Sequence, residues 1–324
     1  MDSDARLRRR EEARRRIQRQ RRLAGLGVLV AVVLGIGFTG LAALGGGEES
    51  PKRERARKAP AELPRGGRAI LPRHRVVAYY GAPQDRELGA LGIGSPDSAA
   101  RHLERQARPY GRRRRPALPA FELIASVASS AAGGDGDYSD RQTPHTVRRY
   151  LAAARRHKAL LMLDIQPGRS PFMREVRAFR RFLEQPDVSL ALDPEWSMAP
   201  GQLPGKQIGS TDAGTVNRIS RYLSRIVRER DLPQKLLVIH RFTNDMIRSE
   251  GQLERHPGVA LVVNVDGFGN QPIKKAKYRD FTHDRRAAKV RSNGFKLFYR
   301  EDTNLMNPRQ VLRLKPPPDL VVYE

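Results

Sequence analysis

Several apolar stretches of this chain end in groups that can donate, accept or hold a proton. VSLALDPEW, Val188–Trp196, delivers Asp193 and, two residues on, Glu195. ALLMLDIQ ends in the same way in Asp164 and Gln166, VALVVNVDGFG carries Asn264 and Asp266, and KLLVIHRF carries His240 and Arg241. Desolvating a carboxylate is costly, so one at the end of a buried strand needs a partner or a task. Side chains two apart on a strand share a face, and alternation therefore predicts that Asp193 and Glu195, Asp164 and Gln166, and Asn264 and Asp266 project in pairs. Neighbouring carboxyls separate in pKa, one holding its proton while the other ionises, which is what acid and base need when they work on one bond. Tyr80 of RVVAYYG and Trp196, the only tryptophan, add rings on which a sugar can stack, and Glu301 lies near the end of FKLFYRED.

Eight such runs recur from Arg75 to the C-terminus: Arg75–Gly81, Phe121–Ser129, Ala159–Gln166, Val188–Trp196, Lys235–Phe242, Val259–Gly269, Phe295–Asp302 and Asp319–Glu324. Helical stretches alternate with them. Thr143–Pro144 and Ser170–Pro171 open two helices with the expected cap and first-turn residues. A third runs from Asp212 to Arg230, with Val216, Ile219, Leu223, Ile226 and Val227 along one face. Ser98–Gln106 and Asn307–Arg313 are shorter candidates. Strand–helix alternation implies parallel pairing through right-handed crossovers. Eight units in roughly 250 residues fit an α/β, TIM-barrel-like (β/α)8 domain, spanning 73–324, whose site lies at the C-terminal ends of the strands. A doubly wound sheet is the alternative, but no Gly-rich phosphate loop follows the first run.

Carboxyls in an aromatic-lined barrel mouth suit glycosidic-bond cleavage, in which one carboxyl protonates the leaving oxygen and another acts as nucleophile or base. Glu195 is the candidate acid, its pKa raised by Asp193, with Asp266 and Asp164 as nucleophile or base. Tyr80, Gln166, Trp196, His240, Arg241, Asn264 and Glu301 are the candidate substrate-binding groups. A fourth strand ending in Asp-x-Glu resembles the catalytic strand of chitinase-type and muramidase-type glycoside hydrolase barrels. In the chitinase type that strand reads D-x-x-D-x-D-x-E, the final Glu being the acid. Asp193 and Glu195 match it, whereas Val188 and Ala191 occupy the two earlier Asp positions. The muramidase type needs D-x-E there and an aspartate on the first strand, which RVVAYYGAP lacks. The resemblance implies a glycosidase. The missing aspartates leave open a barrel that binds glycan or anionic polymer as a scaffold without cutting it.

Residues 1–22 hold ten arginines and four acids, and Leu23–Leu44 follows with no charge. About 20 apolar residues span a bilayer core of roughly 30 Å, and no A-x-A cleavage site follows the run. An uncleaved single-pass anchor in the cell membrane is expected, with the Arg-rich tail cytoplasmic and the rest extracytoplasmic. Residues 45–72 read as a linker. Of the net charge of +26, the tail accounts for +6, so +20 faces outward and an anionic envelope polymer becomes a fitter partner than nucleic acid. The absence of cysteine excludes disulfides, zinc thiolates, a thiol nucleophile and a lipidated cysteine. No H-E-x-x-H, G-x-S-x-G or Walker stretch occurs, and the acidic loop Gly133–Asp140 lacks calcium-loop ligand order, so neither a metal nor a cofactor is expected.

Overall fold

In a computed structural model, residues 60–283 and 289–324 are described. Eight strands run parallel: β1 (Arg75–Gly81), β2 (Ala117–Ala128), β3 (Leu160–Ile165), β4 (Val188–Leu192), β5 (Lys235–Arg241), β6 (Val259–Val265), β7 (Ser292–Leu297) and β8 (Leu320–Tyr323). Each pairs with the next, and β8 returns to β1 through Val76–Leu320 to Tyr79–Tyr323, which closes the sheet into a barrel. The expected barrel is therefore present. The expected membrane-spanning segment, Leu23–Leu44, lies outside the described residues, as does the Arg-rich tail. Among the described residues, no helix is long and apolar enough to cross a membrane.

Helices α1 (Pro96–Ala107), α2 (Pro144–Arg156), α3 (Phe172–Ala178), α4 (Ala213–Glu229), α5 (Gln271–Thr282) and α6 (Pro308–Leu312) pack outside the strands. Their starts are fixed locally: the side chains of Ser95, Thr143, Asp212, Asn270 and Asn307 each accept a first-turn backbone N–H. The crossover from β5 to β6 has no such helix, only a two-residue strand at Ile247–Arg248 and a 3-10 turn at Glu250–Gln252.

Strand alternation divides the core in two. Outward residues such as Val77, Phe121, Leu163, Leu190, Ile239 and Val263 meet the helices, including the Val216–Ile219–Leu223–Ile226 stripe of α4. Inward residues fill the axis: Val76, Ala78, Leu118, Ala120, Leu160, Met162, Ala191, Leu236, Val238, Val262, Leu320 and Val322. Part of the stretch read as linker belongs to this inner core. Leu63, Ile70 and Leu71 plug the base of the barrel, and the Ile70 and Leu71 amides both donate to Gln234 Oε1 at 2.8 Å. At the other end Ala82 and Leu88, from the loop after β1, join the same cluster. Gly89 lets that loop approach: at φ 113° it lies so close that an added Cβ would sit 2.4 Å from the Tyr80 carbonyl oxygen.

Gly294 on β7 leaves room for the side chain of Asn264 on β6. A Cβ at 294 would meet Asn264 Oδ1 at 2.6 Å and its Cα at 3.0 Å. Gly294→Ala is expected to lower unfolding stability by about 1–3 kcal/mol through overpacking. Denaturant titration checks this, and a midpoint equal to wild type would show that β6 and β7 accommodate a side chain there.

Candidate active site

One step above the apolar layers of the axis, every strand contributes a polar inward side chain. Two residues past Ala78, Ala120, Met162, Ala191, Val238, Val262, Gly294 and Val322 come Tyr80, Glu122, Asp164, Asp193, His240, Asn264, Lys296 and Glu324. Seven of these eight residues are buried, each at most 1% exposed, while Glu324, at the chain's end, has a side chain 8% exposed. Asp266 and Gln166, one step higher on β6 and β3, join them.

Two chains of contacts run through this tier. In the first, Lys296 Nζ forms an ion pair with Glu324 Oε2 at 2.7 Å and donates to Asp266 Oδ2 at 3.1 Å. That same Asp266 oxygen lies 2.9 Å from His240 Nδ1, and His240 Nε2 lies 2.9 Å from Glu122 Oε1. In the second, the Tyr80 hydroxyl faces Asp164 Oδ2 at 3.0 Å and Asp193 Oδ2 at 3.4 Å. Gln166 Nε2 donates to the Tyr80 oxygen at 2.9 Å and reaches Asp193 Oδ2 at 3.4 Å. The Tyr80 ring joins the two chains, with Lys296 Nζ 3.8 Å above its centre and the His240 ring edge-on to it.

These contacts set the proton positions. Burial, and then the Asp193 charge, push the Asp164 carboxyl up to about 8, so it is a neutral acid at pH 7. Burial and the Lys296 charge pull His240 down, but the Glu122 charge and the hydrogen bonds to Asp266 and Glu122 outweigh them and hold it well above the usual imidazole value. His240 is thus an imidazolium clamped between two carboxylates. Asp164 Oδ1, Asp193 Oδ1, Glu122 Oε2 and both amide atoms of Asn264 are buried without a hydrogen-bond partner among the described residues. Such atoms are open positions for a ligand's hydroxyls or for water.

Four residues expected at the site stand elsewhere or differently. Strand β4 ends at Leu192, and Pro194–Trp196 form a 3-10 turn, so period-two alternation does not carry Glu195 to the side of Asp193. Glu195 is buried in that turn, its carbonyl accepting from the Gly209 amide at 2.7 Å. Trp196 is 1% exposed and offers no open face for stacking. Arg241 follows inward-facing His240 and therefore points outward, where it pairs with Glu250 and lies over the Phe281 ring. Glu301 lies half-buried beyond the end of β7 at Leu297. Tyr80, Asp164, Gln166, Asp193, His240, Asn264 and Asp266 do come together. Glu122 and Lys296 are the members of the tier that the ends of the apolar runs do not reveal, because both lie within their runs. A single charge inside FEL or FKL, at inward parity, was the available signal.

Glu122, Asp164 and His240 each place one ligand atom within 4.8 Å of the others, close enough for a metal ion. His240 Nε2 faces Glu122, a member of the trio, at 2.9 Å, so an ion there would replace that contact and the imidazole proton, while Asp266 would keep its hold on Nδ1. The acidic Gly133–Asp140 loop is held by an ion pair, Arg174 to Asp137 at 2.6 Å. No protein-family model matches this chain, and no curated protein sequence matches it significantly.

The raised Asp164 pKa has a thermodynamic consequence. Between its unfolded value of about 3.9 and its folded value of about 8, the folded protein keeps a proton that the unfolded chain releases. The stabilisation is therefore complete at acid pH and is lost as pH rises to that folded value. Asp164→Asn stays neutral and can still accept from Tyr80, so its melting temperature relative to wild type should climb from pH about 5 to pH about 9. The difference cancels other titrations, such as that of Lys235, which burial pulls down to about 7. A gap between the two melting curves that does not change with pH would refute a neutral Asp164.

Proposed function

We propose that this chain is a membrane-anchored hydrolase that cuts glycosidic bonds in a cell-envelope polysaccharide, with Asp164 as acid–base and Asp193 as nucleophile. The observation that carries the proposal is the Tyr80 hydroxyl, within reach of both carboxyls, one of which burial and its neighbour's charge keep protonated. Asp164 takes the role that sequence alone gave to Glu195. Oxygens that share one hydroxyl suit the close spacing of retaining pairs, about 5–5.5 Å, better than the roughly 6.5–9.5 Å of inverting ones. Asp164 gives its proton to the leaving oxygen while Asp193 attacks the sugar carbon. The resulting carboxylate then takes a proton from the water that releases the sugar. Tyr80 and Gln166 hold the two carboxyls in register, and the His240–Asp266–Lys296 chain sets the charge beside them.

The near-complete burial of Tyr80, Asp164 and Asp193 favours a second reading, a glycan-binding scaffold whose polar axis is structural. On the hydrolytic reading, the Ala82–Leu88 loop must move to admit a sugar. Full-length protein incubated with cell-wall glycan and a polysaccharide panel separates the two, with new reducing ends and co-sedimentation both measured. Asp164→Asn is expected to lower reducing-end release by about 10²–10⁴-fold, and Asp193→Asn at least as severely, whereas Glu195→Gln retains activity. Wild-type kcat/KM should fall as pH rises through about 8, where Asp164 loses its proton. Binding with no reducing ends from any form would leave the scaffold reading standing.

A further inference from the structure

Outside the barrel, α3 and α4 flank a cleft of about 560 Å³. Arg177 of α3 and Arg180 just beyond it face Arg218, Arg221 and Arg225 of α4 across this cleft, with Tyr222 between them. Met173 completes the lining, and no carboxylate contributes to it. On α4 the arginines stand three and four residues apart, a spacing at which like charges on a helix repel. Some of that charge is balanced at the margins: Arg180 pairs with Glu184 at 2.9 Å and Arg221 with Glu254 at 3.1 Å. Arg177 and Arg225 form no ion pair with any described residue.

The cleft does not end there. A second cleft of about 490 Å³ shares Met173 and Arg218 with it and is lined further along by Ser197, Met198 and Arg248. Ser197 and Met198 belong to the loop after β4, at the barrel end that carries Asp193. The two clefts adjoin at Met173 and Arg218 and together make a groove from a field of guanidinium groups on the flank toward the loop that follows Asp193, with Asp212 the one carboxylate among their linings.

We infer that this groove is a subsite for an acidic polysaccharide, its carboxylate or phosphate groups seated on Arg177, Arg225 and their neighbours. Guanidinium groups bind either anion in a bidentate fashion, and a polymer with charges along its length matches a groove rather than a pocket. Single-stranded nucleic acid is the poorer fit, since it relies on successive aromatic platforms and the flank offers only Tyr222. That the polymer held here is the one cut in the barrel rests on the hydrolytic reading above; the binding itself does not.

Arginine footprinting on the full-length protein tests the inference at the residues concerned, whatever the Arg-rich tail also binds. The protein is treated with an arginine-specific dicarbonyl in the presence of polygalacturonate, a phosphomannan, neutral dextran or a single-stranded oligonucleotide, and the modified peptides are quantified. The expected result is several-fold stronger protection of Arg177 and Arg225 than of Arg148 and Arg149, exposed on α2, with polygalacturonate, phosphomannan or both, and none with dextran. Which acidic polymer protects identifies the anion. Equal protection at all four arginines, or stronger protection by the oligonucleotide, would overturn the inference. Asp164→Asn protein should give the same footprint. Protection without cleavage by wild type therefore removes only the hydrolytic reading, and cleavage without protection removes only the subsite.

Discussion

Closure of the sheet is the constraint on which the rest of the molecule depends. Once β8 pairs with β1, side chains at one height on eight strands must share a single axis. In the lower layers this is a packing problem that small and branched apolar residues solve. One layer higher the same geometry draws Glu122, Asp164, Asp193, Asp266 and Glu324 together with only His240 and Lys296 as cations. These groups are buried, so each must be neutralised by protonation or by a neighbour.

The solution is uneven, and the unevenness carries the chemistry. Along the β5–β8 side imidazolium and ammonium alternate with carboxylates in a continuous chain that ends on Glu122 of β2. The β3–β4 side has no cation of its own, only a tyrosine hydroxyl and a glutamine amide. A second negative charge is hardest to hold there, so a proton stays on Asp164. The acid is thus made first by burial and then by the Asp193 charge, which the cations on the other side of the tier, His240 and Lys296, only partly offset.

Much of this could be read in the sequence, with failures of identifiable origin. Alternation paired Asp164 with Gln166 and Asn264 with Asp266, and no turn begins within either pair, although β3 ends at Ile165 and β6 at Val265. It failed at Glu195, where Pro194 turns the chain out of β geometry, but it held at Arg241, whose parity opposes that of His240 and excludes it from the axis. It failed differently at Glu122. β2 is twelve residues long and shifts register between Ile124 and Ser126, so its polar contribution sits well short of its end. The missing signal was height in the barrel, which depends on the stagger between strands, and no single strand contains that information.

Residue type carries some of the information that position does not. Of 61 lysines and arginines only eleven are lysine, yet among the described ones Lys235, Lys274 and Lys296 are the most deeply buried residues. Each sits at a convergence of oxygens from separate segments: Lys235 with the Gln185 and Val188 carbonyls, Lys274 with those of Gly267 and Lys296 and with Asp302, and Lys296 with Asp266 and Glu324. An ammonium is a compact point with three donors that can rotate toward such partners, whereas a guanidinium needs a planar slot. Accordingly the most buried arginines, Arg75, Arg241 and Arg291, lie outside the axis, with Arg75 on backbone carbonyls and the other two on Glu250. The basic exterior and the acidic axis therefore draw on different cations. Apolar neighbours in sequence do not by themselves mark such a lysine: Lys296 lies between Phe295 and Leu297, but Lys289, between Ala288 and Val290, is exposed.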